Sequence, residues 1–435
     1  MRVSKKIKLE HASEIKAALL AWSGNFKEVV WFDSNEHQDK YSKFDAVLAV
    51  DAFTAIQTDA VGAFEKLQEY QQITADWIFG YLSYDLKNDV EELSSSNFDG
   101  LNFPELFFFQ PKKIFFLKGD MLELSYLGMV DDEMEEDLEQ LLQKSGLLKD
   151  RVSNGKRSVK LKPRISREEY LQKVEKMQAH IHRGDIYEAN FCQEYYAEDV
   201  TIDATEAFSA LNSISHPPFA TFLRNYDQYL LSASPERYLQ KKGSTLITQP
   251  IKGTARRDFT DPAADRKLAL NLEQDAKERA ENVMIVDLVR NDLSKTAKKG
   301  SVEVVELCKV YSFRQVHQMI STVKADLASG IFPVEALRSS FPMGSMTGAP
   351  KISAMKIIED LEETKRGLYS GAVGYFDPQG DFDFNVVIRS ILYNAEKKYV
   401  SVSVGGAITA RSVPQKEYEE CQVKAAALLQ VLEGH

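Results

Sequence analysis

The sequence predicts an α/β (α+β) protein whose core is built from antiparallel strands. Runs of β-branched and aromatic residues recur through residues 1–130, and a three-stranded antiparallel meander is predicted over residues 367–409. Between these regions, helical patterns with clear start signals alternate with strand patterns. Both helices and strands are therefore expected throughout the chain.

Composition and charge limit the class of protein. The chain has 435 residues, of which 44% are hydrophobic and 27% charged, as in ordinary soluble proteins. Its formal net charge of −11 argues against general binding to nucleic acids or anionic membranes. The three cysteines are widely separated, and neither an apolar signal segment nor an apolar run of about 18 residues occurs. These features predict a cytoplasmic protein.

The first part of the chain is predicted to be rich in strands, with one helix over residues 59–72. No catalytic constellation stands out there, so this part is expected to complete a sheet or carry a regulatory site. An acidic helical stretch over 131–144 and a basic, aperiodic stretch over 147–163 follow. We predict three parts: 1–130, a linker over 131–163, and 164–435. The strands predicted in the first part cover 29–32, 44–50, 77–84, 107–109, 114–117 and 122–127.

Helix signals are strongest in the second half. Ser166 and Glu169 form a capping box, and that helix is expected to end at Gly184. Asp261 before Pro262 begins another helical pattern, which continues through residues 277–294. Further strands are predicted over 186–196, 219–223 and 229–232, and the meander strands over 367–376, 381–393 and 399–409.

A glutamate and a lysine flank a predicted hairpin within residues 230–257. Residues 241–244 indicate its turn, with Glu236 before the turn and Lys252 after it. Gly253 would allow a ligand to approach the backbone closely. An acid and an amine that face one cavity are candidates for a general acid and a nucleophile. Taken alone, however, a solvated surface hairpin is the more ordinary interpretation.

Two helices carry carboxylates at helical spacing. Glu278 and Glu281 share one face, and Glu417, Glu420 and Lys424 share a face of the final helix. Either set also fits a solvated helix surface, although apolar neighbours place Glu281 near buried surface.

Backbone features add three candidate ligand contacts. The loop 341–351 leads into a helix whose free N–H groups suit an anion, or it is an ordinary loop. Gly405 and Gly406 inside a strand indicate a bulge or a close approach to a ligand. On the middle meander strand, alternation places Arg389 on the face opposite the core.

Eight segments then resemble, in order, the chorismate-utilising enzymes. This family includes component I of anthranilate synthase and of aminodeoxychorismate synthase, with isochorismate and salicylate synthases as more distant members. The resemblance spans about 164–432, and weaker likeness continues in 41–45 and 80–89. It implies an anthranilate synthase component I-like fold, with large antiparallel β-sheets packed face to face and helices on the outside. The segments are SPER (234–237), PIKGT (250–254), RAENVMIVDLVRND (279–292), GSMTGAPK (344–351), YSGAVGYF (369–376), VVIRS (386–390), GGAI (405–408) and EYEECQVKAA (417–426).

The resemblance implies a chorismate site with Mg²⁺ as cofactor. The ion would be held by Glu281 and Glu420, with Glu278 and Glu417 close by through waters, and would bind the ring carboxylate. The residues implied to contact chorismate are Gly253 and Thr254 along the ring, Thr347, Gly348 and Ala349 in the pocket wall, and Tyr369, Arg389, Gly405 and Lys424 at the carboxylates.

Within the family, the residue before Gly-Thr distinguishes the reactions. Anthranilate synthases usually have alanine there, whereas aminodeoxychorismate synthases have lysine, as at Lys252. The likeness implies that Lys252 adds at C2 of chorismate while Glu236 protonates the departing C4 hydroxyl. Ammonia, supplied by a separate glutamine amidotransferase subunit, would then displace the lysine and give 4-amino-4-deoxychorismate, the precursor of 4-aminobenzoate for folate. The alternatives are an anthranilate synthase component I, an isochorismate or salicylate synthase, and a catalytically silent binding subunit.

Two positions depart from the family pattern. Isochorismate and salicylate synthases have lysine at position 188 and many aminating enzymes have glutamine, whereas this chain has Glu188. We hypothesise that Glu188 orients ammonia or supports Lys252 electrostatically. The histidine usual at position 318 is replaced by glutamine, and the adjacent His317 would face the other way on a strand, which predicts a structural role.

Overall fold

The computed structural model describes residues 1–9, 12–37, 41–147, 159–314 and 316–434. Within these ranges the twenty strands pair only in antiparallel fashion, which confirms an α+β fold. The strands are β1 (Arg2–Lys8), β2 (Glu28–Asp33), β3 (Ala46–Thr58), β4 (Ile78–Leu82), β5 (Leu106–Lys118), β6 (Met121–Leu127), β7 (Lys162–Pro163), β8 (Glu188–Ala197), β9 (Phe219–Asn225), β10 (Gln228–Ser234), β11 (Arg237–Lys242), β12 (Thr245–Thr248), β13 (Ile251–Arg256), β14 (Glu303–Ser312), β15 (Val316–Asp326), β16 (Gly348–Ala349), β17 (Ala372–Phe376), β18 (Phe382–Val386), β19 (Ser390–Asn394) and β20 (Tyr399–Thr409).

The helices flank these strands. In the described ranges they are α1 (Ala12–Ser23), α2 (Ala63–Thr74), α3 (Lys87–Val90), α4 (Met134–Leu147), α5 (Arg167–Arg183), α6 (Ala204–Ser215), α7 (Pro262–Gln274), α8 (Ala276–Ser294), α9 (Pro333–Ser340), α10 (Lys351–Leu361) and α11 (Pro414–Glu433). No helix of the described chain is long and apolar enough to span a membrane.

The sheet divides into two arms at β5. One side of β5 pairs with β3, and the first arm continues through β2, β9, β10, β19, β20 and β8. The other side of β5 pairs with β4 and β6, and the second arm runs from β4 through β17, β18, β11, β12 and β15. The arms carry strands from both ends of the chain. The predicted division into three parts is not tested by this pairing and stays a prediction.

Two apolar cores explain the layers. One lies between the arms and combines residues such as Val47, Phe108, Leu230 and Phe384. The other lies between the first arm and the outer helices, among them α1, α4, α5 and α11. Face-to-face arms with helices outside are the predicted arrangement.

Most predicted elements occur, and the local signals explain them. The Ser166 capping box is complete, and Gly184 ends α5 in a left-handed conformation. Asp261 caps α7 by accepting a hydrogen bond from the N–H of Ala263. The elements that were not predicted include strands β1 and β14 and helices α1, α3, α6 and α9. Of the predicted linker, residues 148–158 lie outside the described residues.

Three boundaries differ from expectation. The runs 107–109 and 114–117 belong to one strand, β5, rather than two. The helical pattern after Asp261 breaks at Asp275, whose side chain accepts the N–H groups of Lys277 and Glu278 and so starts α8. The predicted middle meander strand is interrupted after Val386, because Arg389 adopts a left-handed backbone (φ 53°) between β18 and β19.

Candidate active site

Glu236 lies in the bend between β10 and β11 and is 6% exposed. Burial raises the pKa of Glu236 to about 7, with Ser345 and the charge of Lys252 partly opposing that rise. The Ser345 hydroxyl itself is buried and makes no hydrogen bond within the described residues. A carboxyl group that titrates near neutrality can both donate and accept a proton.

Lys252 lies on β13, one strand later than the predicted hairpin alone would place it. Strands β11 and β12 form the hairpin, and β13 then pairs with β15 beyond Pro250. Helix α8 lies behind Lys252, where Asn282 Nδ2 donates to the Lys252 carbonyl at 3.5 Å. The Lys252 charge acts on the carboxyl groups of Glu236, Glu188 and Glu420. The structure thus brings the predicted acid and amine to one site.

Gly253 occupies a place that suits only glycine. Its backbone has φ 93° at an irregularity in the pairing of β13 with β15. A Cβ there would lie 3.2 Å from Glu278 Oε2 and 3.2 Å from Leu272 Cδ1. The chain next to Lys252 therefore lies directly against the carboxylate-bearing face of α8.

Glu188 is the first residue of β8 and is 2% exposed. Its Oε2 atom is buried and has no hydrogen-bond partner in the described part of the chain. Burial raises the pKa of Glu188, and the charge of Glu281 adds to this while that of Lys252 opposes it. Glu188 is thus within electrostatic reach of both the lysine and the α8 carboxylates.

The four predicted metal carboxylates face one another from two helices. Glu278 and Glu281 lie on α8, and Glu417 and Glu420 lie on α11. Burial raises the pKa of Glu278, and the charge of Glu281 adds to the rise. Burial likewise raises the pKa of Glu417, and the charges of Glu420 and Glu281 add to it. These like charges need a positive partner.

Cations already on the protein satisfy this need only in part. Lys277, half-exposed, lies 3.7 Å from Glu281, and Lys424 lies 2.6 Å from Glu420. Burial acts to raise the pKa of Glu420, but Lys424, with smaller contributions from Lys252 and Lys277, outweighs it and holds that pKa below its ordinary value.

The donor set fits a hard divalent cation in chemistry, since all four groups are carboxylates. A Cβ on Gly406 would lie 3.4 Å from Glu417 Oε2 and 3.6 Å from Glu420 Oε1, so the backbone there adjoins the acidic groups. As they stand, no three acidic, histidine or cysteine side chains of the described residues are grouped to hold one ion. Magnesium stays a prediction.

Tyr369, which is buried, and Arg389, which is partly buried, form a second part of the site. The Arg389 guanidinium makes no hydrogen bond or ion pair within the described residues, and burial lowers its pKa while the nearby Tyr369 and Glu420 oppose that change. Burial raises the pKa of the Tyr369 phenol. A partly buried guanidinium that lacks an anionic partner is suited to bind a carboxylate. The left-handed backbone of Arg389, rather than alternation along a strand, determines where its side chain lies.

Gly405 on β20 packs against β8, whereas its neighbour Gly406 adjoins the acidic groups. A Cβ on Gly405 would lie 2.5 Å from Cys192 Sγ and 2.5 Å from the Phe191 carbonyl oxygen, so β8 packs directly on it. The Gly405 carbonyl accepts a hydrogen bond from Lys424 Nζ at 2.6 Å. Lys424 is therefore engaged by the protein at both Gly405 and Glu420.

The predicted pocket wall 347–349 lies beside β8. Gly348 and Ala349 form β16, which pairs with the first two residues of β8. The Thr347 hydroxyl lies 3.3 Å from each of the carbonyl oxygens of Met343 and Gly344, to which it donates, so it serves the loop itself. Thr254 is exposed on β13, opposite Gln318. Of the predicted substrate contacts, Thr254 is the one whose location in the site the structure supports least.

Three further residues lie near the site, namely His317, which was predicted to be structural, and Asn282 and Ser345, which were not predicted. His317 has a structural role as expected, since Nε2 lies 2.9 Å from Asp265 and Nδ1 lies 2.8 Å from Ser312 Oγ. Sequence reasoning missed Asn282 and Ser345, which touch Lys252 and Glu236. Both residues lie inside the family segments, and that position is the only signal that marks them.

Comparison with known proteins identifies the family of the chain. Residues 27–430 match the chorismate binding enzyme family. Aminodeoxychorismate synthase component 1 of Salmonella typhimurium is 42% identical over 270 residues, which cover 62% of this chain and 59% of that protein. The chain thus spans about three fifths of the length of that relative.

Two further relatives extend the likeness over more of the chain. Anthranilate synthase component 1 of Thermus thermophilus is 36% identical over 363 residues, covering 82% of this chain and 77% of that protein. The crystal structure of anthranilate synthase component I from Streptococcus pneumoniae has a TM-score of 0.75 at 26% identity, over 91% of this chain and 94% of that one. Because the family match extends over residues 27–430, the chain belongs to the chorismate binding enzymes.

Proposed function

We propose that this protein aminates chorismate at C4 to give 4-amino-4-deoxychorismate. The observation that carries the proposal is the pairing of a buried Glu236, with a pKa of about 7, and the amine of Lys252 in one site. The likeness to aminodeoxychorismate synthase component 1 supports the same reaction. The motif PIKGT supplies the lysine at the position that distinguishes the reactions within the family.

In the proposed first step, the neutral amine of Lys252 forms a bond to C2 of chorismate. Both conjugated ring double bonds shift, the bond from C4 to its hydroxyl breaks, and protonated Glu236 donates the proton with which water leaves. In the second step, ammonia forms a bond to C4, both double bonds shift back, and the bond from C2 to Lys252 breaks. Glu236 passes protons between the incoming and departing nitrogens. The net reaction consumes chorismate and ammonia and releases water.

The other residues bind and orient the substrate in this proposal. Arg389 and Tyr369 hold the enolpyruvyl carboxylate, with the Gly405 backbone and Lys424 beside them. Gly253 and the loop 347–349 line the ring. A magnesium ion, when held by Glu281 and Glu420 with Glu278 and Glu417 near, supplies positive charge for the ring carboxylate. The basic groups and the ion together reverse the acidic field of the whole protein locally.

Ammonia is proposed to come from a separate glutamine amidotransferase subunit. None of the three cysteines is placed as a nucleophile, because Cys192, Cys308 and Cys421 are all buried. The name component 1 of the Salmonella relative supports a second subunit.

An anthranilate synthase is the second candidate, since the Thermus relative covers the greater part of the chain. Lys252 discriminates between the two, because a lysine next to the ring occupies the space through which ammonia would reach C2.

Product identity tests the proposal. The purified protein is incubated with chorismate, Mg²⁺ and a high ammonium concentration, and the product is identified by mass and by treatment with aminodeoxychorismate lyase. Conversion to 4-aminobenzoate by the lyase supports the proposal. Anthranilate would establish the second candidate instead, and isochorismate or salicylate would show that Glu188 had been misread.

A further inference from the structure

A buried ion pair outside the proposed chemistry joins segments that line the site. Arg366 and Glu362 are 5% and 6% exposed. Arg366 Nε donates to Glu362 Oε2 at 2.9 Å, and Arg366 Nη2 donates to Glu362 Oε1 at 2.7 Å. This is a two-pronged contact that fixes the plane of the guanidinium.

The same pair holds two separate backbone segments. Arg366 Nη1 donates to the Met346 carbonyl at 2.7 Å, and Nη2 donates to the Asn190 carbonyl at 2.8 Å. Glu362 Oε1 also accepts the Cys192 N–H at 2.8 Å. Met346 stands between Ser345 and Thr347, and Asn190 lies two residues beyond Glu188. The pair therefore fixes the loop beside Glu236 against the start of β8.

A third connection reaches Tyr369. The Arg366 carbonyl accepts the Tyr369 N–H at 3.1 Å, and Cys192 Sγ lies 3.8 Å from the Tyr369 hydroxyl. Cys192 is also the residue that packs against Gly405. The loop, β8 and Tyr369 come from distant parts of the sequence, and the pair is the point at which they meet.

Burial of an ion pair is a poor way to gain stability, because desolvation of both charges opposes their attraction. An apolar pair of similar size would serve a purely structural role as well. What an apolar pair lacks is direction, since it cannot hold two carbonyl groups and one N–H group at fixed angles.

We propose that Arg366 and Glu362 are positioning residues for the chorismate reaction. They hold the Ser345–Thr347 loop, the start of β8 and Tyr369 in the mutual arrangement that the substrate requires, without touching it. The inference rests on the proposed function, because it takes chorismate as the ligand of these segments.

The test compares two Arg–Glu pairs that contact β8, the buried Arg366–Glu362 pair and the pair of partly buried Arg164 with Glu194. Arg164 donates from Nε and Nη2 to Glu194 at 3.0 Å and serves as the matched control, since Glu194 lies six residues along β8 from Glu188. In both Arg366→Lys and Arg164→Lys, lysine keeps the positive charge but loses the two N–H donors that the planar guanidinium directs at the carboxylate. We expect Arg366→Lys to raise KM for chorismate about tenfold and lower kcat about tenfold. Arg164→Lys should shift only thermal stability.

A double variant separates positioning from folding. Arg366→Met with Glu362→Met replaces the ion pair by apolar side chains, which is expected to preserve folding. The variant also frees the Met346 and Asn190 carbonyls and the Cys192 N–H, so it should be somewhat less stable, and it should lose about 10²-fold in kcat/KM. Partial unfolding would lower apparent kcat and leave KM unchanged, so a raised KM marks displacement of the site. If the double variant does not fold, the KM and kcat of Arg366→Lys alone decide whether the pair positions the site.

Chorismate affinity by titration calorimetry, without ammonium, gives a readout independent of the product. Wild-type KM, kcat and affinity in Arg366→Lys would overturn the inference, as would an equal KM rise in Arg164→Lys. If wild type yields a different product while Arg366→Lys still weakens chorismate binding, the proposed reaction is wrong and the positioning role stands. A wild-type protein that neither binds nor consumes chorismate overturns both.

Discussion

The site has two acidic ends that deal with negative charge differently. At one end a single carboxyl, Glu236, is enclosed, and burial raises its pKa to about 7, so a proton neutralises it. At the other end, Glu278, Glu281, Glu417 and Glu420 face one another across α8 and α11, and Glu420 keeps a side chain 49% exposed. The charge at the Glu236 end is neutralised within the protein. The four carboxylates at the other end carry more negative charge than Lys277 and Lys424 offset. The comparison suggests that chemistry belongs to the first end and ion binding to the second.

Removing the amine should have the largest effect. Lys252→Ala is expected to lower formation of aminodeoxychorismate by ~10⁴-fold or more, since the covalent step loses its nucleophile. Steady-state assays with ammonium, coupled to the lyase, measure the loss. Lys242→Ala, on an exposed lysine of the same hairpin, should leave the rate unchanged. Near-normal turnover of Lys252→Ala would place the chemistry elsewhere.

Removing the buried acid should cost less in rate and should gain stability. Glu236→Gln is expected to lower kcat by about 10³-fold, as for loss of a general acid. Because burial raises its pKa from 4.5 to about 7, the folded state keeps a proton that the unfolded state releases between those values. Wild-type stability therefore falls as pH rises through this window and is level above it.

The stability of the Glu236→Gln variant should not fall as the pH rises through the window in which wild-type stability falls. At pH 8 the variant should be more stable than wild type by about 3 kcal/mol, and the gain should vanish below about pH 4.5. Urea unfolding at several pH values measures it. A pH-independent difference between the two proteins would show that Glu236 is not held protonated by burial.

At the crowded end, metal rather than a proton should govern stability. Chelation is expected to remove activity, and Mg²⁺ at a hundredfold excess over its dissociation constant should stabilise the wild type by about 2.7 kcal/mol. Thermal unfolding with and without Mg²⁺ measures this. The double change Glu281→Gln and Glu420→Gln should abolish the Mg²⁺ effect, while Glu419→Gln on the same helix should keep it. An equal response to Mg²⁺ in all three proteins would count against the ion site.

Glu188 lies within reach of both ends, and its loss should have the smallest effect. Glu188→Gln keeps the shape but removes the charge that acts on Lys252 and Glu281. A loss of about tenfold in kcat is expected, with the exposed Glu198→Gln as control. Unchanged turnover would leave Glu188 without a catalytic role.

Local signals predicted local structure well. The capping residues Ser166 and Asp261 act as their patterns indicate, because caps depend on neighbours within one helical turn. The left-handed turn at Arg389 could not be foreseen, since apolar alternation continues through the break and no glycine or asparagine marks it. Glu362 and Arg366 likewise have the spacing of a surface helix pair, and only long-range packing reveals their burial.

The candidate site could be predicted residue by residue only through family likeness. Spacing alone left Glu236, Lys252 and the helix carboxylates as ordinary surface groups. Their convergence depends on strands far apart in sequence, and no local pattern records which strands become neighbours. The same limit hid Ser345 and Asn282.

The division of the sheet into two arms at β5 has a consequence for how the chain folds. β4 pairs with the nearby β5 but gains its second partner only when β17 is present, with Gly80 opposite Gly374, and β2 likewise gains its second partner only with β9. Contacts of such long sequence separation slow folding, because loop closure precedes any gain from pairing. During synthesis, the aromatic face of β4 and β5 stays uncovered until most of the chain has emerged. The nascent protein is thus expected to depend on chaperones, which would shield that face until the second arm closes over it.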